Sequence, residues 1–318
     1  MKKILCIAAI VGMVLTGCDD TPGTGDGPGS ETDPYLIGTA AQLKKLADEV
    51  NAGDNKAGKY YKLTANIDLS GYQSGAGWTP IGNNETTGTQ FCGNFNGDGY
   101  VVSKLLINTH KSNVGLFGCI YNGGVVKNLG VKGTVEGVEV NFGDANCIGG
   151  IVGFVCKNSK VENCYWMGDV SGIFNVGGIA GQVHWDSEVT NCYTTGKITS
   201  ASGGGGIAGI VRDGSKISKC AALNEEIKDR GPNSGFARVV GSNNGGAAYN
   251  NIAWDGMKVI GSTVSDSNEN GLGKSKVQIK NNDSFDEYFP SPLWAKASNK
   301  LPGFRGNTES MPTYLATP

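Results

Sequence analysis

Apolar and small residues return every 28 positions between residues 148 and 227. Gly150-Ile151-Val152-Gly153 recurs as Gly178-Ile179-Ala180-Gly181 and as Gly206-Ile207-Ala208-Gly209. Ile151 and Val155, Ile179 and Val183, and Ile207 and Val211 each stand two positions either side of the closing glycine. That alternation predicts half-buried strands. Val161, Val189 and Ile217 open a second short strand, and Val170 and Ile198 sit in a third. Glycine and asparagine punctuate them, as residues able to turn the chain through positive φ. A fixed period of this length means stacked units, none able to bury its apolar face alone. Three strands per unit predict an all-β fold, a right-handed parallel β-helix.

In such a stack, residues at one repeat position lie about 4.8 Å apart on neighbouring coils. The predicted core columns are Ile151-Ile179-Ile207 and Leu129-Cys164-Cys192-Cys220-Ile252. Asn128, Asn163 and Asn191, with Asn251 further on, form a predicted amide ladder at a corner. Regular coils are expected over about 114–255, within a β-helix spanning 34–255. Thr39 and Gln42 have capping-box spacing, followed by Leu43, Leu46, Ala47 and Val50 at helical intervals. A helix over 39–52 is therefore predicted to close the amino-terminal end of the stack. After Trp254 the period fails. The cluster Phe285, Tyr288, Phe289, Leu293, Trp294 and Leu301 predicts an aromatic cap over the last coil, within a capping segment 256–318.

The glycine-framed repeats resemble the GLUG motif of bacterial surface proteins. The likeness extends to Asp33-Pro34-Tyr35-Leu36-Ile37, Gln42-Leu43, Tyr61-Lys62-Leu63, Ile67-Asp68-Leu69, Trp78-Thr79-Pro80-Ile81-Gly82 and Phe95-Asn96-Gly97, and to the tail from Trp294 through Leu301-Pro302. It covers about residues 33–305. Such repeats occur in adhesins and beside the catalytic part of IgA-cleaving proteases. The resemblance implies adhesion or surface recognition and carries over no catalytic residue.

The amino terminus changes the setting. Lys2 and Lys3 precede an apolar run from Ile4 to Val14, too short to span a bilayer and fitting a signal peptide over 1–17. Leu15-Thr16-Gly17-Cys18 resembles a bacterial lipobox, implying cleavage before Cys18 and lipidation there. Residues 18–33 are rich in Gly, Pro, Asp and Thr and read as a flexible tether. The expected place is a bacterial cell envelope, with the membrane touched only through the lipid anchor. Asp19 and Asp20 resemble a signal for outer-surface display.

Charge and chemistry narrow the rest. A net charge of −2 gives no electrostatic case for nucleic acid. The nine cysteines show no CxxC pair and no histidine cluster, so no metal or cofactor is expected. Stacked positions disfavour disulfide torsions, so the cysteines are read as reduced packing residues. His184-Trp185-Asp186, with Glu188, is the most tempting local cluster for acid/base chemistry, yet it occupies a turn with no visible nucleophile. Asp169, Asp213 and Asp229 occupy different repeat positions and do not form a catalytic pair. Trp166, Trp185 and His184 are the candidate ligand contacts, with loops 136–146 and 229–235 supplying shape. Trp166 and Trp254, like Tyr165 and Tyr193, are read as sharing repeat positions, with one of each neighbouring pair filling the core.

The expectation is a non-enzymatic, monomeric recognition protein for a host protein, a matrix component or a glycan. A β-helix glycan lyase or hydrolase is the alternative, and a spacer in a surface assembly the third.

Overall fold

The structure is a computed structural model that describes residues 29–138, 146–229, 235–260, 267–282 and 285–316. The predicted signal peptide, Cys18 and most of the predicted tether lie outside the described residues, as do the centres of loops 136–146 and 229–235.

The chain winds into a parallel β-solenoid of about seven turns. One face is a continuous parallel ladder. It runs from Tyr35–Ile37 through Tyr60–Leu63, Asn94–Asn96, Val125–Gly137, Lys160–Ser171, Glu188–Thr190 and Lys216–Ser218 to Ala247–Tyr249. We number the coils one to eight by these strands. A second sheet stacks Phe117–Ile120, Val152–Cys156, Ala180–His184, Ala208–Arg212 and Val240–Asn244. The predicted isoleucine column is present. Ile151 donates its N–H to Ile179 O at 3.2 Å, and Ile179 to Ile207 O at 3.0 Å, with all three side chains fully buried. Cys164, Cys192 and Cys220 also stack in register, buried and free.

The corners explain the asparagines. Asn128, Asn163 and Asn191 have φ of 55, 52 and 52°, in the left-handed region that asparagine tolerates better than most side chains. Asn128 Nδ2 donates to Asn96 Oδ1 at 3.0 Å, and Asn163 Nδ2 to Asn128 Oδ1 at 3.3 Å. The ladder stops there, because Asn191 Nδ2 turns outward to the carbonyl of Tyr288.

Asn251 does not belong to it. The turn between Arg212 and Lys216 is matched in the next coil by one between Asn244 and Ala247, one residue shorter. A slip of one residue moves every later side chain to the opposite face. Asn250, at φ 53°, takes the corner position. Asn251 falls beneath Cys220, where it accepts from Cys220 N at 2.9 Å and donates to Ile217 O at 3.0 Å. Ile252 leaves the cysteine column and aligns with Ala221, and Ala253, not Trp254, aligns with Ala222 in the column of Trp166.

The amino-terminal helix spans Ala40–Asn51 with the predicted capping box, and Leu43, Leu46, Ala47 and Val50 are buried. Full burial of each larger side chain is worth about 1.5–3 kcal/mol. Asn51 Nδ2 ties the helix end to the carbonyl of Pro80 at 2.9 Å.

The aromatic tail covers a different surface from the one expected. Residues 285–316 run along the flank of the stack, back to the third coil and forward again to the seventh, and we call them the strap. Tyr314 donates to Leu223 O at 2.7 Å in the seventh coil, and Tyr193 to Pro302 O at 2.7 Å in the sixth. Arg305 reaches Asp98 at 3.2 Å in the third. The reason lies in the coils. Tyr165 and Tyr193 point outward and stack at 5.0 Å, continued by Ala221 and Ile252, and this apolar stripe needs cover. The carboxy-terminal end of the stack is met by residues 267–271 instead. Arg238, buried there, donates to the carbonyls of Asn270 at 3.1 Å and Gly271 at 2.9 Å.

Candidate functional site

Four of the second sheet's strands lead into the same corner, two consecutive left-handed residues. These are Asn122-Gly123, Lys157-Asn158, Trp185-Asp186 and Asp213-Gly214. The corner turns Trp185 out of the coil, and its side chain is 49% exposed. His184, the last residue of its strand, stacks on the indole with centroids 4.3 Å apart. Its Nε2 meets Asp213 Oδ2 of the next coil, and its Nδ1 lies 3.3 Å from Gln182 Nε2. Gln182 Oε1 in turn accepts from Cys147 Sγ at 3.3 Å. One polar line therefore crosses three coils, and it positions a half-exposed indole.

The carboxylate partner of His184 is not one of the two nearest in sequence. Neighbours on the rim of a stack are one coil apart, about 28 residues, rather than two or four. Asp186 is carried over Gly214, where an added Cβ would lie 2.3 Å from its Oδ1. Glu188 lies between Lys160 at 3.3 Å and Lys216 at 4.0 Å. Gln182 lies two residues before His184 on the same strand, and Asp213 lies 29 residues on, next to the residue one period from His184.

Cys147 gives the line a superficial likeness to a nucleophile–histidine–acid relay. Its chemistry runs the other way. Burial pushes the thiol up to about 12, a direction opposite to that of a reactive cysteine. Gln182 also separates thiol from imidazole. Cys147 stands where the next coils have Asn175 and Gly203, all three in the left-handed region, with φ of 59, 54 and 70°.

Trp166 is not part of any surface. It is fully buried inside the stack, its Nε1 donating to Gly168 O at 2.9 Å. An added Cβ at Gly150 would lie 2.2 Å from its ring, so Gly150 makes room for it. Tyr165, the residue before, is buried as well, on the other face of the strand beneath the strap. Neither residue of this pair is presented on the outer surface. Among the described residues there is no group of three or more His, Cys, Asp or Glu able to hold a metal ion, and no helix long and apolar enough to cross a membrane.

With this geometry in view, the family description "The GLUG motif" matches residues 172–199, one full period that contains Gly178-Ile179-Ala180-Gly181. The chain carries a GLUG motif. Over 151 residues it is 34% identical to a protein of Evansella cellulosilytica provisionally named a Gly-rich membrane protein, covering 45% of this chain and 17% of that one. It is 32% identical over 152 residues to halomucin of Haloquadratum walsbyi, covering 46% of this chain and 2% of that one. The chain thus spans a small fraction of the length of the curated relatives it matches. A solved structure from Bacteroides ovatus, provisionally named an immunoglobulin A1 protease, superposes with a TM-score of 0.64. It is 22% identical and covers 89% of this chain and 95% of that one. At that identity the likeness speaks for the shared solenoid fold alone.

Proposed function

We propose that this GLUG-motif protein is a recognition protein of the cell envelope, held to the membrane by lipid on Cys18, that binds a host protein, a matrix component or a glycan without chemical turnover. The observation that carries the reading is the rigid presentation of Trp185. A half-exposed indole stacked on a histidine that is itself held by Asp213 and Gln182 loses little side-chain freedom on binding. Exposed aromatics of this kind anchor protein partners and stack on sugar rings. Stacked coils extend such a step into a long rigid face. The names of the two relatives, a membrane protein and halomucin, support an envelope setting.

A binding array of glycans and host and matrix proteins, probed with the full chain and with Trp185→Ala, tests the reading. Loss of a specific signal in the variant supports it. An unchanged signal removes Trp185 from the site, and no signal from any ligand overturns recognition as the function. Lipidation is tested by fatty-acid labelling in the native host, which Cys18→Ser should abolish. Protease shaving of intact cells tests surface display.

The alternative, a glycan lyase or hydrolase, has one observation on its side, the His184–Asp213 pair. Release of unsaturated sugars or new reducing ends from a polysaccharide panel, lost in His184→Ala, would establish it instead.

A further inference from the structure

The strap does not lie flat on the coils along its whole length. Between Phe304 and Glu309 it borders a cleft of about 390 Å³ that is open to solvent on one side. The opposite wall comes from successive coils, Asn66 of the second, Tyr100 of the third and Lys132 of the fourth, with Tyr165 of the fifth beneath. Cavities of this size at the junction of two packed units are where small ligands bind.

The polar groups in it are fixed before any ligand arrives. Glu309 accepts from Tyr165 Oη at 2.5 Å on one oxygen and from Lys132 Nζ at 2.6 Å on the other. Asn66 Oδ1 accepts from Val101 N at 2.9 Å. Arg305 lies 4.3 Å from the centre of the Tyr100 ring and pairs with Asp98. Both cations of the lining are engaged by a carboxylate, Lys132 by Glu309 and Arg305 by Asp98, which it shares with Lys62 at 3.3 Å, so neither cation is left unpaired for an anion. Hydrogen-bonding capacity remains, because an ammonium has three donors, a guanidinium five and a carboxylate about four acceptor sites. Apolar ring surface is supplied by the half-buried Tyr100, whereas Phe304 is buried between Tyr165 at 5.6 Å and Trp294 at 4.1 Å.

From these features we propose that the cleft between strap and coils is a binding site for a neutral pyranose, as a free sugar or as one residue of a polysaccharide. A pyranose presents what the cavity complements: alternating hydroxyl donors and acceptors around the rim and an apolar C–H face for an aromatic ring. Glu309 and Lys132 take a pair of adjacent hydroxyls, Asn66 and Asn307 take others, and the C–H face lies against Tyr100. The proposal rests on the recognition reading above but places the sugar about the strap rather than at Trp185.

The test is calorimetric titration of the purified full chain with neutral mono- and disaccharides and with the corresponding uronic acids. Glu309→Gln, Asn307→Ala and Trp185→Ala are compared with the parent chain. Asn307 is exposed and its replacement leaves the packing intact. We expect a neutral saccharide to bind, each cleft variant to lose at least tenfold in affinity, and Trp185→Ala to bind as the parent does. Hydrogen exchange should slow at 99–103 and 304–309 when that saccharide is present. Binding lost in Trp185→Ala but kept in the cleft variants overturns the cleft while leaving the recognition reading intact. Preference for uronic acids overturns the neutral-sugar assignment. No saccharide binding overturns the site altogether and confines recognition to protein ligands.

Discussion

Tyr165 and Trp166 are consecutive residues of one strand, and they are buried in two different cores. Trp166 fills the inside of the stack, where the following coils place Thr194 and Ala222 in its column. Tyr165 lies outside, stacked on Tyr193 and covered by Trp294 and Phe304 of the strap. The inner core is assembled from residues one coil apart. The outer core joins residues far apart in sequence, since the Tyr165–Glu309 contact spans 144 positions and Arg305–Asp98 spans 207. The first is a nearest-neighbour structure that propagates coil by coil. The second is a long-range closure that ties those coils together from the side. Damage to each core should therefore produce a different kind of failure.

The largest effect is expected inside. At Gly150 an added Cβ would lie 2.2 Å from the Trp166 ring and 2.5 Å from Gly178 O, so neither the indole nor the backbone of the next coil can yield easily. Gly150→Ala should cost more than about 4 kcal/mol, the range reserved for overpacked or strained buried sites. The urea midpoint followed by far-UV circular dichroism measures it. A loss under about 1 kcal/mol would mean that the inner packing is much looser than the contacts indicate.

Next is the strap. Trp294 is buried against Phe304 at 4.1 Å and Phe289 at 4.9 Å, and Trp294→Ala should cost about 3–5 kcal/mol. Its signature is local. Limited proteolysis should cut within 285–316 while far-UV circular dichroism of the coils persists. Simultaneous loss of both would show one cooperative core instead of two.

The same contrast governs what could be read from the chain alone. The inner core was legible because a column is a spacing, and Ile151, Ile179, Ile207, Cys164, Cys192 and Cys220 are all set by 28. It ceased to be legible at a single missing turn residue, between Asn244 and Ala247, which displaced Asn251, Ile252 and Trp254 by one position each. The outer core has no period. Its composition announced aromatic cover, but nothing in the tail says which surface it lies against. That is decided by Tyr165 and Tyr193, whose outward direction follows from strand register, not from residue type. Trp166 was misassigned to the surface for the same reason. At the rim, His184 was found and its partner Asp213 was not, because proximity in sequence competes poorly with proximity between coils.

Arg238 gives a smaller, sharper version of the test at the end of the inner core. It takes the position that Gly150, Gly178 and Gly206 hold in earlier coils, linked to them by the same succession of backbone hydrogen bonds. Its buried guanidinium binds carbonyls of residues 270 and 271. Arg238→Met keeps most of the volume and leaves those carbonyls short of a charged donor, at a cost of about 1.5–3 kcal/mol. Because coils interact with nearest neighbours, hydrogen exchange should quicken over 240–254 and 267–274 and stay unchanged over 160–190. Uniform acceleration would count against coil-by-coil propagation.

The smallest expected effect is at the opposite end, where Lys56 fastens the helix Ala40–Asn51. Its ammonium lies 2.5 Å from both Glu49 and Asp54. Burial alone disfavours the charge on Lys56, but the hydrogen bonds to Asp54 and Glu49 outweigh it and hold its pKa above the ordinary 10.5. The hydrogen bond from Lys56 holds the Asp54 carboxyl below its ordinary 3.8. A raised lysine contributes stability that is complete below 10.5 and lost as pH climbs through the higher folded value. A lowered aspartate contributes stability that is complete above 3.8 and lost as pH falls through the lower folded value. The two windows overlap between about pH 4 and 10, so the contribution should be flat there and decline on both sides. Asp54 is largely exposed and solvent screens the pair, so Lys56→Met should cost only about 0.5–1 kcal/mol. Thermal melts of parent and variant from pH 3 to 11 should differ most across the plateau and converge below it. A constant difference at every pH would assign the effect to the packing of the lysine stem and not to its charge.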